Sequence, residues 1–294
     1  MTFEDQFKKV ESYKVPTLEK EVRLSDFTPG IFKTIRSKKG IKNAIKKGLV
    51  TVNGEIGYTA DYIRGEEIIE LYQSKFQENK PSINLNIEVV FEDDYLAIVT
   101  KPAGMVVSGN KKWTLENALP TNLKESIKKD ALHRPEPIHR LDYPTSGVLL
   151  VGKTTQAVMA LNKLFEERKI EKIYYAVTIG LIEDSGIINT KIENKTAKTE
   201  FEILSRLSSP KYKFLNLTKL KPHTGRRHQL RIHMAGIGNP IFGDLKYGKE
   251  GLILKGKGLF LHASCLNFSH PITGEQISVN VSLPKKFKKL FPEM

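Results

Sequence analysis

The sequence predicts an α+β protein: a large mixed, mainly antiparallel sheet, preceded by a small α/β module. Three observations carry that expectation. Strand-like runs outnumber helical ones and follow each other in hairpin-like succession, without the regular strand–helix alternation of a doubly wound parallel sheet. A chain of 294 residues has room for one sizeable core and a smaller unit beside it. Between a lysine-rich first part and a long apolar second part lies QSKFQENKPSINLN, residues 73–86, which is polar, aperiodic and contains a proline. The expected division is a small unit with an N-terminal extension over 1–75, a linker over 76–86 and the main domain over 87–294.

The elements follow in order. Residues 31–50 carry Lys33, Arg36, Lys38, Lys39, Lys42, Lys46 and Lys47 and no acid. Among them Ile41, Ala44 and Ile45 recur at helical spacing, so a short helix buries those three and exposes lysines. Val50 and Val52 then alternate with polar residues up to Asn53-Gly54, a hairpin signal, and a second strand is expected over 66–72. In the main domain, strands at Val89-Val90 and Leu96–Val99 flank a turn at Asp93-Asp94. Residues 110–137 read as a loop with one short helix, whose lysines (Lys111, Lys112, Lys124, Lys128 and Lys129) are within reach of phosphates. A strand through VLLV, 148–151, leads to a helix over 154–168, and another strand runs through IYYAVTI. Further strands are expected near 200–205, 214–220 and 259–268, and HQLRIH, 228–233, is weighed as a strand with a helix as the alternative.

Composition narrows the function. A net charge of +14 favours a polyanionic partner. No run approaches 18 apolar residues, so no membrane span is expected. The N-terminal MTFEDQFKKVESYK lacks the apolar centre of a secretory signal. The single cysteine, Cys265, excludes an internal disulfide and a cysteine-built zinc site, which fits a reducing cytoplasm.

Two chemistries compete in IHRLDYPTSGVLLVGKTT, residues 138–155. GVLLVGKT matches the phosphate-loop pattern, but that loop needs irregular backbone between its glycines, and VLLV is a strand whose amides belong to a sheet. The nucleotide reading therefore fails, and Lys153 is expected near the surface. The other candidate is Asp142, which either accepts hydrogen bonds within the D-Y-P-T-S-G turn or does chemistry. Arg231, an arginine among apolar residues, requires a carboxylate partner, and Asp142 is the natural one. Pairing would keep that carboxylate ionised and oriented. His228 and His233 fall on different faces, which argues against a zinc site.

These stretches resemble the RluA-type family of RNA pseudouridine synthases. The family's motifs stand here as HRLDYPTSG (139–147), KIYYAVTIG (172–180) and TGRRHQLRIH (224–233). They are flanked by FEDDYLAIVTKPAGM (91–105), GNPIFGDLKYG (238–248) and LHASCLNFSHP (261–271). The order is collinear over about residues 87–284. The run SKKGIKNAIKKGLVTVNGE resembles the small RNA-binding domain first described in ribosomal protein S-four, over about residues 20–75. It departs from that pattern in its first helix, where VRLSDF runs into Thr28, Pro29 and Gly30. A second departure follows KPAG, where MVVSGN places Ser108 and Gly109 in a segment that usually reads valine-histidine-proline.

The resemblance implies the pseudouridine synthase fold and isomerisation of uridine in structured RNA, ribosomal RNA ahead of transfer RNA. It implies Asp142 as the essential catalytic residue, Tyr174 (not Tyr175) stacking under the uracil, and Arg231 paired with Asp142. Arg140 would fill the space left by the flipped uridine, and Arg36, Lys38, Lys39, Lys42, Lys46 and Lys47 would bind RNA. Whether Asp142 attacks base or sugar, or generates a glycal, stays open. No cofactor and no metal are expected, and the protein is expected to be a monomer. The rival reading is a non-catalytic RNA-binding or ribosome-assembly factor, which would not require Asp142, Tyr174 and Arg231 together.

Overall fold

The structure is a computed structural model that describes residues 6–35, 37–74 and 81–293. The chain divides into two compact units, Met1–Lys80 and Pro81–Met294.

In the first unit, strands β1 (Phe7–Lys14), β3 (Val50–Val52), β4 (Glu55–Ile56) and β6 (Ile68–Ser74) form one sheet in the order β1-β6-β3-β4. Strands β2 (Val22–Arg23) and β5 (Tyr62–Ile63) pair separately, and helices α1 (Leu24–Phe27) and α2 (Lys38–Lys46) complete the unit. Helix α2 starts at Ser37, whose hydroxyl accepts from the Gly40 amide at 3.0 Å. It buries Ile41, Ala44 and Ile45 against Val50, Ile69 and Leu71. The tight turn between β3 and β4 is made by Asn53 and Gly54, both at positive φ as a type I′ hairpin requires. Strand β1 was not expected. Most of its side chains face solvent, so its pattern does not alternate, and it is specified by its pairing with β6.

The second unit is built on one ten-stranded sheet. Its strands are β7 (Glu88–Glu92), β8 (Leu96–Lys101), β9 (Ala131–Pro137), β10 (Ser146–Thr154), β11 (Glu171–Ile179), β12 (Ser185–Ile188), β13 (Thr199–Ser209), β14 (Lys213–Pro222), β15 (Leu261–Ser269) and β16 (Gln276–Asn280). The main path runs β12-β13-β14-β11-β15-β10-β8-β7, with β16 on β15 and β9 on β10. Its one parallel pairing, β10 with β15, joins Ser146 to His262 and Gly147 to Ala263. Helices α3 (Leu115–Asn122), α4 (Thr155–Glu166), α5 (Gln229–Gly236) and α6 (Lys285–Lys288) are few and short, so the expected α+β class with a large mixed sheet is what the chain adopts.

Several expectations need correction. Lys153 is buried, not superficial: its ammonium reaches Glu92 Oε1 and the Asp93 carbonyl, both at 2.6 Å. Val148–Val151 do form the expected sheet strand, paired with β8, where the phosphate-loop pattern matches. The end of the 110–137 segment is strand β9, which tolerates Pro135 and Pro137 because it pairs on one side only, with β10. HQLRIH belongs to a helix: Leu230 and Met234, four residues apart, pack into one cluster with Ala176, Leu220 and Leu261. Six residues are too few for periodicity to separate the two structures. Within the expected linker, Ile83 is buried and its amide bonds the Asn117 carbonyl at 2.9 Å.

Candidate active site

The centre of the sheet explains why distant motifs meet. Strand β15 lies between β10 and β11, so Gly147, Ala263 and Tyr174 occupy one row across three strands. At ~4.8 Å per strand, the Tyr174 backbone lies about 10 Å from the end of the D-Y-P-T-S-G turn. A β-bulge between Ile173 and Tyr174 turns the tyrosine relative to its neighbours. Tyr174 lines the cleft there, whereas Tyr175 packs against the phenylalanine cluster of Phe242 and Phe260.

Gly147 has φ +122°, and a Cβ there would sit 2.0 Å from the Ala263 carbonyl oxygen. Only glycine permits that approach, and the approach fixes the turn before it. Within the turn, the Thr145 amide bonds the Asp142 main-chain carbonyl at 3.0 Å. Two further tethers hold Tyr143: the Gly104 amide donates to its carbonyl at 2.8 Å, and Lys101 Nζ approaches the same oxygen at 3.4 Å. Lys101 is fully buried and also bonds the carbonyls of Pro102 and Met105, each at 2.8 Å. Burial pushes its pKa down to about 8, against the pull of the Asp142 charge.

The Asp142 carboxylate points at helix α5. Arg231 Nη1 donates to its Oδ2 at 3.2 Å, and His228 Nε2 lies 3.8 Å from its Oδ1. Arg231 is itself gripped by Asp244, with Nε donating to Oδ2 at 2.7 Å and Nη2 to Oδ1 at 2.8 Å. Asp244 is buried and accepts also from the amides of Lys246 and Tyr247. Burial opposes the charge on Arg231, but the two carboxylates outweigh it and raise its pKa. Burial likewise opposes ionisation of Asp244; Arg231 and the two amides overcome this and lower its pKa. Gly243 brings Asp244 into place, since a Cβ there would meet the Gly258 carbonyl at 2.1 Å.

The cleft has a volume of ≈ 440 Å³, within the range of small-ligand sites, and Asp142 is the one carboxylate among its lining residues. Arg140, Lys172, Arg226, Arg227 and Arg231 also line the cleft, which is therefore strongly cationic. Arg140 is exposed at the cleft. Burial, reinforced by the Asp142 charge, raises the Tyr174 pKa, so its phenol stays protonated. His139 serves the scaffold: its Nε2 accepts from the Leu150 amide at 3.0 Å, and burial with the Lys172 charge pushes its pKa down to about 3. His228 enters helix α5 at φ 58° and bonds the Tyr247 hydroxyl through Nδ1 at 2.9 Å. Burial lowers its pKa against the pull of the Asp142 charge.

Asp142, Tyr174, Arg231 and Arg140 thus line one cleft. The lysines of helix α2 lie in the other unit: Lys38 pairs with Asp26 at 2.8 Å, Lys39, Lys46 and Lys47 are exposed, and Lys42 is half-buried. Arg36 lies outside the described residues. Sequence reasoning missed Asp244, His228, Lys101 and Lys172. The Gly243-Asp244 turn and the need of Arg231 for a carboxylate were both visible, but one partner was assigned where two are present.

The model of a family described as RNA pseudouridylate synthase matches residues 95–236. An uncharacterized RNA pseudouridine synthase of Aquifex aeolicus is 37% identical, over 87% of this chain and 88% of its own. Ribosomal large subunit pseudouridine synthase D of Xanthomonas campestris is 30% identical over 86% of this chain and 83% of its own. The tRNA pseudouridine synthase C of Vibrio parahaemolyticus is 33% identical over 70% of this chain and 94% of its own. Among solved structures, human RNA pseudouridylate synthase domain containing 1 superposes with a TM-score of 0.58 at 26% identity, over 69% of this chain and 86% of that one. With the motifs, the ten-stranded sheet and these relatives in agreement, the chain belongs to the RluA-type family of RNA pseudouridine synthases and is an enzyme that isomerises uridine in RNA.

Proposed function

We propose that Asp142 is the reacting carboxylate, that Arg231 positions it and that Tyr174 stacks beneath the uracil. The observation that carries this reading is that the cleft's one lining carboxylate rests on an arginine already immobilised by a second, buried acid. The reaction breaks the bond from N1 to the ribose C1′ and makes one from C5 to C1′. The hydrogen on C5 leaves as a proton and N1 gains one, so product and substrate are isomers. Asp142 serves as nucleophile toward base or sugar, or as base at the ribose, and all three routes need its oxygen beside a uridine taken out of the stack. Arg140, exposed at the cleft, occupies the gap that the extruded base leaves.

The substrate we infer is structured ribosomal RNA ahead of transfer RNA, gripped by a first unit that resembles the S-four RNA-binding domain. The likeness to the large-subunit-named relative covers 86% of this chain, more than the second unit alone supplies. The likeness to the tRNA-named relative covers 70% and nearly all of that protein, a share the second unit alone could supply. Tritium release from RNA labelled at uracil C5 tests the chemistry. Asp142→Asn is expected to abolish release while RNA binding is largely kept, and retained release would remove Asp142 from this role. Mapping pseudouridine transcriptome-wide with and without the protein tests the substrate. Loss of a site in tRNA, with ribosomal RNA unchanged, would overturn the ribosomal reading.

A further inference from the structure

Outside the cleft, the loop from Met105 to Thr114 carries Gly109-Asn110-Lys111-Lys112-Trp113. Trp113 is the only tryptophan of the chain and is 58% exposed. An indole is a large apolar surface that folded proteins usually cover, yet here it stands beside two exposed lysines. The loop is held firmly. Val106 and Thr114 form a bridge, the Leu115 and Glu116 amides bond the carbonyls of Val106 and Val107, and Asn117 Nδ2 donates to the carbonyls of Lys111 and Lys112 at 3.2 and 2.8 Å. A ring presented on a fixed loop loses little further freedom on stacking.

The same loop is tied to the catalytic turn through the Gly104–Tyr143 bond and the Lys101 ammonium. Tyr143, the neighbour of Asp142, is itself 58% exposed. Tracing Asp142, Tyr143, Gly104, Val106, Thr114 and Trp113 through bonds and pairings puts the two ends at most about 25 Å apart. That is less than one ~34 Å duplex turn.

We propose that Tyr143 and Trp113 are successive stacking surfaces for unpaired bases of the RNA strand beside the target uridine, with Lys111 and Lys112 neutralising their phosphates. Aromatic faces with flanking cations suit single-stranded RNA, because every base offers a π-face and every link a charge. The proposal rests on the Asp142 cleft being where the uridine reacts.

The single tryptophan makes its own reporter. The full-length Asp142→Asn chain is titrated with a single-stranded oligouridylate and with a blunt RNA duplex, saturation being followed independently by filter binding. Trp113 fluorescence should be quenched by the single strand and little changed by the duplex. Trp113→Ala should weaken single-strand binding about tenfold, and Trp113→Phe should restore most of it. Replacing Lys111 and Lys112 by alanine should lower the salt slope by about 1.4. Fluorescence unchanged at saturation, equal quenching by duplex, or undiminished affinity of Trp113→Ala overturns the proposal. With Asp142 intact, the Trp113→Ala effect should fall on KM, and a fall in kcat alone would also overturn it. Absence of tritium release from the unaltered chain would instead reject the Asp142 reading and leave the fluorescence result standing.

Discussion

Arg231 directs Nε and Nη2 to Asp244 and keeps Nη1 for Asp142. On the proposed reading this division makes Asp244 a positioning residue: it fixes the guanidinium plane, and the plane fixes where the Asp142 oxygen sits. In Asp244→Asn, an amide that accepts at one atom only replaces a carboxylate accepting four bonds, leaving a buried arginine half-paired. Stability should fall by about 3–5 kcal/mol, as for other broken buried pairs. The tritium-release rate should fall about 100-fold, the scale of an ångström-sized misplacement. Denaturant titration and single-turnover kinetics measure the two effects. An unchanged rate would mean that Asp142 does not depend on Arg231 for its position.

Among the elements, β15 organises the site while contributing no side chain of the proposed trio. It pairs in parallel with the end of the Asp142 turn and antiparallel with the strand of Tyr174, and Ala263 is the shared position. Gly147→Ala forces a Cβ into the Ala263 backbone at a positive φ, so β10 must withdraw and carry Asp142 with it. The expected cost is about 3 kcal/mol or more, with activity lost out of proportion to the fall in Tm. Retention of wild-type activity at a temperature where the variant is fully folded would show that the close approach is dispensable. Much of this level was legible in the sequence. VLLV as a strand, the helix after Thr154, the Asn53-Gly54 hairpin and the collinear motifs follow from local pattern and turn chemistry. What escaped depends on tertiary context. Strand β9 holds its prolines because it is an edge, residues 229–236 are helical because Leu230 and Met234 share a core, and Lys153 is buried because Glu92 and the Asp93 carbonyl receive it. The second carboxylate on Arg231 escaped for the same reason, since a residue type announces a need for partners but not their number.

For the whole molecule, the +14 charge is the property the RNA meets first. The lysine face of helix α2 and the cationic residues of the cleft belong to different units, so their effects on binding are expected to be separable. Replacing Lys39 and Lys46 by alanine should lower the slope of log affinity against log salt by about 1.4–1.8 and leave kcat at saturating RNA unaltered. Binding isotherms across salt check this, and an unaltered slope would make that helix face a merely solvated one.

The pairing of Gly147 with Ala263 also bears on how the enzyme comes into being. It joins residues 116 positions apart in parallel, the kind of contact that loop closure makes slow to form. Strands β7 and β8, or β13 and β14, can zip as local antiparallel pairs, but none of those events creates the row that spans the cleft. During synthesis, the turn bearing Asp142 leaves the ribosome well before the strand that anchors it, so the nascent chain has no assembled cleft until β15 has been made.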